Sequence, residues 1–187
     1  MKKEIKNKLN KNNKKSVNYS WIFKILVLSF VISVAFSFAA EMAIPNVNLF
    51  WSILITLLFI LIGVIFDMVG VAVTASDEAV FHSMAANKVR GAKIAVKLKK
   101  NADKMSSFCQ DVVGDVCGVV SGSTGAVISL KIMESANNNS IFITLIVMGI
   151  ISALTIGGKA FEKAFAINKS NEILYRFSVI ISYFVRG

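Results

Sequence analysis

The side chains in this sequence best suited to chemistry are carboxylates and hydroxyls set within apolar runs. Asp67, Thr74, Ser76, Asp77, Asp111 and Asp115 fall inside or at the ends of such runs, and another run closes on Gly157-Gly158. An ionisable group at membrane depth costs about 2.5 to 3.5 kcal/mol on the insertion scale, so it marks an ion or proton path by default. Hard cations such as Mg2+ take oxygen ligands from carboxylates, hydroxyls and the carbonyls freed at a helix irregularity. Those are the ligands on offer. A competing reading has the aspartates pairing with lysine or hydrogen-bonding across helices. Asp111 and Asp115 are four residues apart, hence one turn apart on one face of a helix.

Other reactive types offer less. The lone His82 lies just outside an apolar run and reads as an interfacial residue. Cys109 and Cys117, eight residues apart in one apolar segment, have neither zinc spacing nor a disulfide framework and read as small packing residues. Nothing resembles a nucleophile with its base, a nucleotide-binding loop or a His-rich metal motif, so an enzyme is not expected.

The elements that must position these groups are helices in a bilayer. Of 187 residues 55% are hydrophobic and one is proline, with a mean hydropathy of +0.66, more apolar surface than a soluble core uses. Runs at about 21–43, 49–74, 107–130 and 141–156 approach or exceed the 18 to 20 residues that cross roughly 30 Å of hydrocarbon. The fold class is therefore all-α, a polytopic helical membrane protein with about four transmembrane helices plus interfacial amphipathic helices.

The first run follows a Lys-rich start and contains Ser37-Phe38-Ala39, which resembles a signal-peptide site, but it is too long for a signal core and reads as a span. The third run carries both Asp111 and Asp115 against nine Val, Ile, Leu and Phe, each contributing only about 0.3 to 0.6 kcal/mol. It should therefore face protein or a cavity. Gly114, Gly118 and Gly122 form a small-residue stripe that predicts close packing with another helix. Ile173, Phe177, Ile180 and Phe184 predict an amphipathic helix in the tail, and the spacing of Val89, Ala92, Ile94, Ala95, Val96 and Leu98 predicts one lying along the interface.

A net charge of +10 would suggest nucleic acid on a soluble surface, but 19 of the 21 Lys and Arg sit in three blocks between apolar runs, at 1–15, 82–105 and 159–187. Four spans put all three blocks on one side, leaving Lys131 on the other and Lys24 within the first span. The positive-inside rule then places both termini in the cytoplasm, with the basic segments against anionic lipid headgroups. No nucleic-acid partner is expected, and the location is a bacterial-type cell membrane.

Several stretches resemble one family. Arg90-Gly91-Ala92-Lys93-Ile94-Ala95-Val96-Lys97-Leu98-Lys99-Lys100-Asn101-Ala102-Asp103-Lys104 is similar to the R-G-A-K segment beside the membrane in the cyclin M and CorB/CorC magnesium transporters. Thr74-Ala75-Ser76-Asp77-Glu78-Ala79 resembles the family's S-A-x-E-x-A, Val113-Gly114-Asp115 its I-G-N, and Ile156-Gly157-Gly158 through Lys163-Ala164-Phe165-Ala166 its F-G-E-x-x-P-K-x-L-A. The resemblance spans about 50–175. It implies a dimeric transmembrane domain holding a dehydrated Mg2+ with hydroxyl, amide and backbone oxygens. Carried onto this chain, the ligands are Thr74 or Ser76, Asp115 and the backbone at Gly157, with Asp111 added from the helical spacing. Asp115 stands for Asn, Gly158 for Glu, and Glu162 and Ala102 for Pro, and the family's CBS pair is not expected.

The domain organisation expected is a basic arm at 1–19, an additional N-terminal span at 20–45 and a cyclin M-like transmembrane domain at 46–187. The function expected is a homodimer that binds or conducts a divalent cation, Mg2+ or similar. The alternative is a non-transporting scaffold or accessory subunit, in which the glycine stripe and basic surfaces bind helices and lipid.

Overall fold

The computed structural model describes residues 19–137 and 140–184. Most of the basic N-terminal arm, Asn138, Asn139 and Arg186 lie outside them.

Among the described residues eight α-helices and one π-helical segment follow in order: α1 (Tyr19–Ala43), α2 (Leu49–Ala75), α3 (Glu78–Ala86), α4 (Ala92–Lys100), α5 (Ala102–Ser107), the π-helical segment Phe108–Gly114, α6 (Asp115–Ala136), α7 (Ile141–Asn168) and α8 (Ser170–Phe184). α5, the π segment and α6 join into a single rod, Ala102–Ala136. This rod, α1, α2 and α7 are the four helices long and apolar enough to cross a membrane, and no strand occurs among the described residues. The expected all-α, four-span architecture is the one observed. The large exposed side chains of α1, α2 and α7, among them Phe30, Phe38, Phe50, Leu58, Phe142 and Ile146, present apolar surface suited to lipid.

α2 is the central helix and packs against α6, α7, the π segment, α5 and α8, whereas α1 lies mainly against α6 and the π segment, with Trp21 under Lys104 of α5 at 5.2 Å. Its sequence explains the position. Ser52, Thr56, Ile60, Gly63, Asp67 and Gly70 are buried at intervals of three and four, one face of an α-helix. A Cβ at Gly63 would come 3.0 Å from Cys117 Cβ, and one at Gly70 would come 2.6 Å from Gln110 Cγ, so these glycines allow the rod to approach closely. Thr56 Oγ1 and Thr124 Oγ1 share a hydrogen bond of 2.8 Å across this interface.

At one end of the bundle the α1–α2 link is fixed by Lys131 from α6. Its Nζ donates to the carbonyls of Ile44 and Val47 and, at 2.9 Å, to Ser52 Oγ. Ile44 itself is buried and belongs, with Ala40, Val116 and Val120, to an apolar cluster between α1, α2 and α6.

At the other end α3, α4, α5 and α8 form a collar around the end of α2. Val69, Val73, Phe81, Ala95, Cys109 and Leu174 make its apolar centre, which gives Cys109 the packing role expected of it. The Arg90-Gly91-Ala92 motif has a local reason here. Gly91 adopts φ +81°, and a Cβ on it would meet Val179 at 3.0 to 3.1 Å. Ala92 is fully buried, and the Arg90 guanidinium lies 4.0 Å from the centre of the Tyr183 ring. Lys99 turns inward and caps α2, donating to the carbonyls of Thr74 at 2.8 Å and Val73 at 3.1 Å.

Three expectations are modified. The amphipathic tail helix forms, but its buried residues are Ser170, Leu174 and Ser178; Ile173 and Phe177 pack at the margin while Ile180 and Phe184 are exposed. The glycine stripe packs closely only at Gly114, since Gly118 and Gly122 have open space where a side chain would be. And α7 does not end at Gly157-Gly158; it runs unbroken to Asn168. With Glu162 where the resembling motif has proline, nothing removes a backbone donor from the helix.

Candidate functional site

Three charged side chains from three spans meet at one point. Lys159 Nζ on α7 lies 2.9 Å from Asp67 Oδ2 on α2 and 2.8 Å from Asp115 Oδ1 at the start of α6. The Asp67 side chain is 7% exposed, that of Lys159 30%, and that of Asp115 65%. One end of this bridge is thus enclosed by protein and the other opens to the surface.

The neighbouring sequence makes the junction possible. A Cβ at Gly114 would sit 2.7 Å from Asp67 Oδ1, so only glycine lets the rod carry Asp115 past Asp67. A Cβ at Gly158 would lie 2.9 Å from Val64 Cγ2, so a second glycine brings α7 and its Lys159 against α2. The π segment ends immediately before Asp115; its wider turn sets the aim of the residues that follow, a feature recurrent at functional sites.

Glu162 completes the cluster. It lies three residues beyond Lys159 on α7, is 4% exposed, and its Oε2 has no hydrogen-bond partner. The charges acting on it are those of Asp67, Lys159 and Lys163.

A groove between α6 and α7 leads from this junction. Asp115, Gly118, Ser121 and Gly122 line one side, and Ser152 and Thr155 the other. Asp115 is therefore reachable from the α6–α7 face, while Asp67 is not.

Of the ion ligands expected from the sequence, Asp115 alone takes part in the bridge, and Asp67, noted only among the polar groups at membrane depth, is its other carboxylate. Asp111 is exposed on the π segment and stands outside it. Thr74 Oγ1 donates to Val71 O at 2.8 Å, and Ser76 Oγ to Val73 O at 3.2 Å. They lie seven and nine residues beyond Asp67, roughly 10 and 14 Å along the helix axis. Asp77 is the N-cap of α3, its Oδ1 accepting from Ala79 N–H at 2.9 Å, and its own N–H donates to Asn171 Oδ1. Gly157 is exposed within a continuous helix, so its backbone offers no freed carbonyl. His82 is exposed and contacts Glu78 Oε1 at 3.1 Å.

Among the described residues no three His, Cys, Asp or Glu side chains stand close enough to form a ready metal cage. Oxygen donors at the junction come from Asp67 and Asp115, with Glu162 behind them.

The family model for the cyclin M transmembrane N-terminal domain matches residues 54–186, most of the chain. The chain belongs to this family. It is a multi-pass membrane protein, and its junction of Asp67, Asp115 and Lys159 lies wholly inside the cyclin M region. α1 lies outside the match. No curated protein and no solved structure matches the chain.

Sequence reasoning overlooked Lys159 and Glu162 as site residues and noted Asp67 without assigning it a role. The available signal was Asp67 itself, the one carboxylate in the most apolar run, whose burial demands a partner. Lys159 follows directly on a span end and had been counted with the basic blocks that report topology.

Proposed function

We propose that this cyclin M domain binds and conducts a divalent cation, Mg2+ or one like it, at the junction of Asp67 and Asp115. The observation that carries the reading is the convergence of two carboxylates from separate spans on a single cationic group. Lys159 acts as a tethered counter-ion. It holds the two carboxylates in place without metal and gives up its contacts with their oxygens, while staying beside them, when a divalent cation with twice the charge takes the same oxygens. The open side at Asp115 is the entry, and the part of the α6–α7 groove beyond it, past the half-buried Gly118 and Gly122, is the face on which a second copy completes a homodimer.

The basic collar faces the cytoplasm against anionic headgroups, both termini share that side, and the membrane is the cell membrane. The support is the placement of Lys93, Lys97, Lys100 and Lys104 on α4 and α5, with Lys131 at the opposite end. The role is conduction, not catalysis.

A second reading has one observation in its favour. Lys159 already neutralises part of the pair, as an ion bridge binding three helices of a scaffold would. Thermal stability of the full chain in detergent against MgCl2 separates the two. A cation that binds the folded state raises its stability by mass action. The parent should gain stability with Mg2+, Asp115→Leu should not, Asp115→Asn should keep part of the response, and Asp111→Asn all of it. Lys159→Met should respond at lower Mg2+ than the parent. Equal responses in the parent and Asp115→Leu would leave the scaffold.

A further inference from the structure

Asp67, Asp115 and Lys159 together carry one net negative charge in their ordinary states, which a monovalent cation would balance. Glu162 changes that count. We infer that Glu162 sets the valence preference of the junction, making it a site for a divalent rather than a monovalent cation.

The argument starts from an anomaly of placement. Glu162 is almost fully buried and one of its oxygens has no hydrogen-bond partner. Leaving such a group unmatched is costly, more so than replacing it with a neutral one of the same shape. Lys159, one turn back on the same helix, is the natural partner, yet its ammonium is taken by Asp67 and Asp115. Lys163 is exposed, and water screens it.

The remaining charges settle the balance. Asp111 and Lys163 are both exposed, and water screens them. With Glu162 ionised, what is left is Asp67, Asp115 and Glu162 against Lys159, an excess of two negative charges, which one divalent cation balances. Glu162 need not touch the ion to do this. A unit charge several Å away still acts on the ion through the protein interior. It acts on a divalent ion twice as strongly as on a monovalent one.

This inference rests on the cation reading above, and a single set of melts distinguishes their failures. The full chain in detergent is titrated with MgCl2 and, at matched ionic strength, with NaCl, for the parent, Glu162→Gln and Lys163→Gln. Glutamine keeps the shape and removes the charge. Glu162→Gln is expected to melt higher than the parent without divalent cation, to need about tenfold more Mg2+ or greater for the same stabilisation, and to lose much less of any Na+ response. Lys163→Gln, which removes a screened charge, should follow the parent. A parent that ignores Mg2+ overturns both the function and this inference. A parent that responds, with Glu162→Gln responding at the same concentrations or melting lower without metal, overturns the inference alone and makes Glu162 a packing residue.

Discussion

α6 shows two faces built from the same small residues and put to opposite uses. Toward α2, Gly114 lies under Asp67, Cys117 against Gly63, and Thr124 is bonded to Thr56. Toward the groove, Gly118 and Gly122 meet nothing, and Asp115 stands at its edge. The difference is one of angle. Positions four apart drift by about 40° around the helix at each step, so a stripe at 114, 118 and 122 turns away from α2 as it rises. Cys117 and Thr124 lie about 60° and 80° round from Gly114 in the opposite sense, on the side that α2 occupies. Small residues thus report that something approaches closely, while their spacing decides what.

Breaking the enclosed face should have the largest effect. Asp67→Leu strips the buried partner from Lys159 and is expected to cost about 3 kcal/mol, the lower part of the range for breaking a buried pair, because Lys159 keeps Asp115. Asp115→Leu, on the open face, should cost clearly less. Chemical denaturation of both variants in one detergent measures this, and equal losses would erase the distinction between the faces.

The glycines sharpen the comparison at smaller scale. Gly114→Ala must push Asp67 aside and should lose about 1 to 3 kcal/mol. Gly118→Ala should stay within about 0.5 kcal/mol of the parent. Gly118→Leu should leave the monomer's melting unchanged while lowering the dimer fraction seen by size-exclusion chromatography with light scattering. An unchanged dimer fraction would assign that face to lipid.

The smallest effect belongs to the hydroxyl pair. Thr56→Val and Thr124→Val should each cost about 0.6 kcal/mol, up to about 1.7. Their double variant should cost little more than either alone, because both remove one shared bond. Additive losses would mean that the two hydroxyls act independently.

The spans were legible in the sequence because length and apolarity are local properties: α1 and α2 begin and end within two residues of the runs at 21–43 and 49–74. The family was legible too, through motifs that turn out to be packing rules, such as Gly91 against Val179. The junction was only partly so. Asp115 stood out as a charge in a marginal span, but its partner is 44 positions away and Asp67 is 92 positions from Lys159, distances over which composition carries no pairing information. The break expected at Gly157 failed because two glycines weaken a helix without removing any of its donors, and α7 is held on both sides by its neighbours. The π segment has no periodic signature that would have disclosed it.

The grip of Lys131 on the α1–α2 link bears on the order in which the chain is put together. Its acceptors at Ile44 and Val47 are made 87 and 84 residues before the lysine itself. At about 5 to 20 residues per second, the first two helices wait several seconds for it. The rod that brings it is the least apolar of the four spans, with a mean hydropathy of 1.5 against 2.3 to 2.8 for the others. A ribosome-bound hairpin of α1 and α2, with carbonyls and Ser52 already exposed at its far end, therefore offers the hesitant third helix a docking point that plain lipid does not.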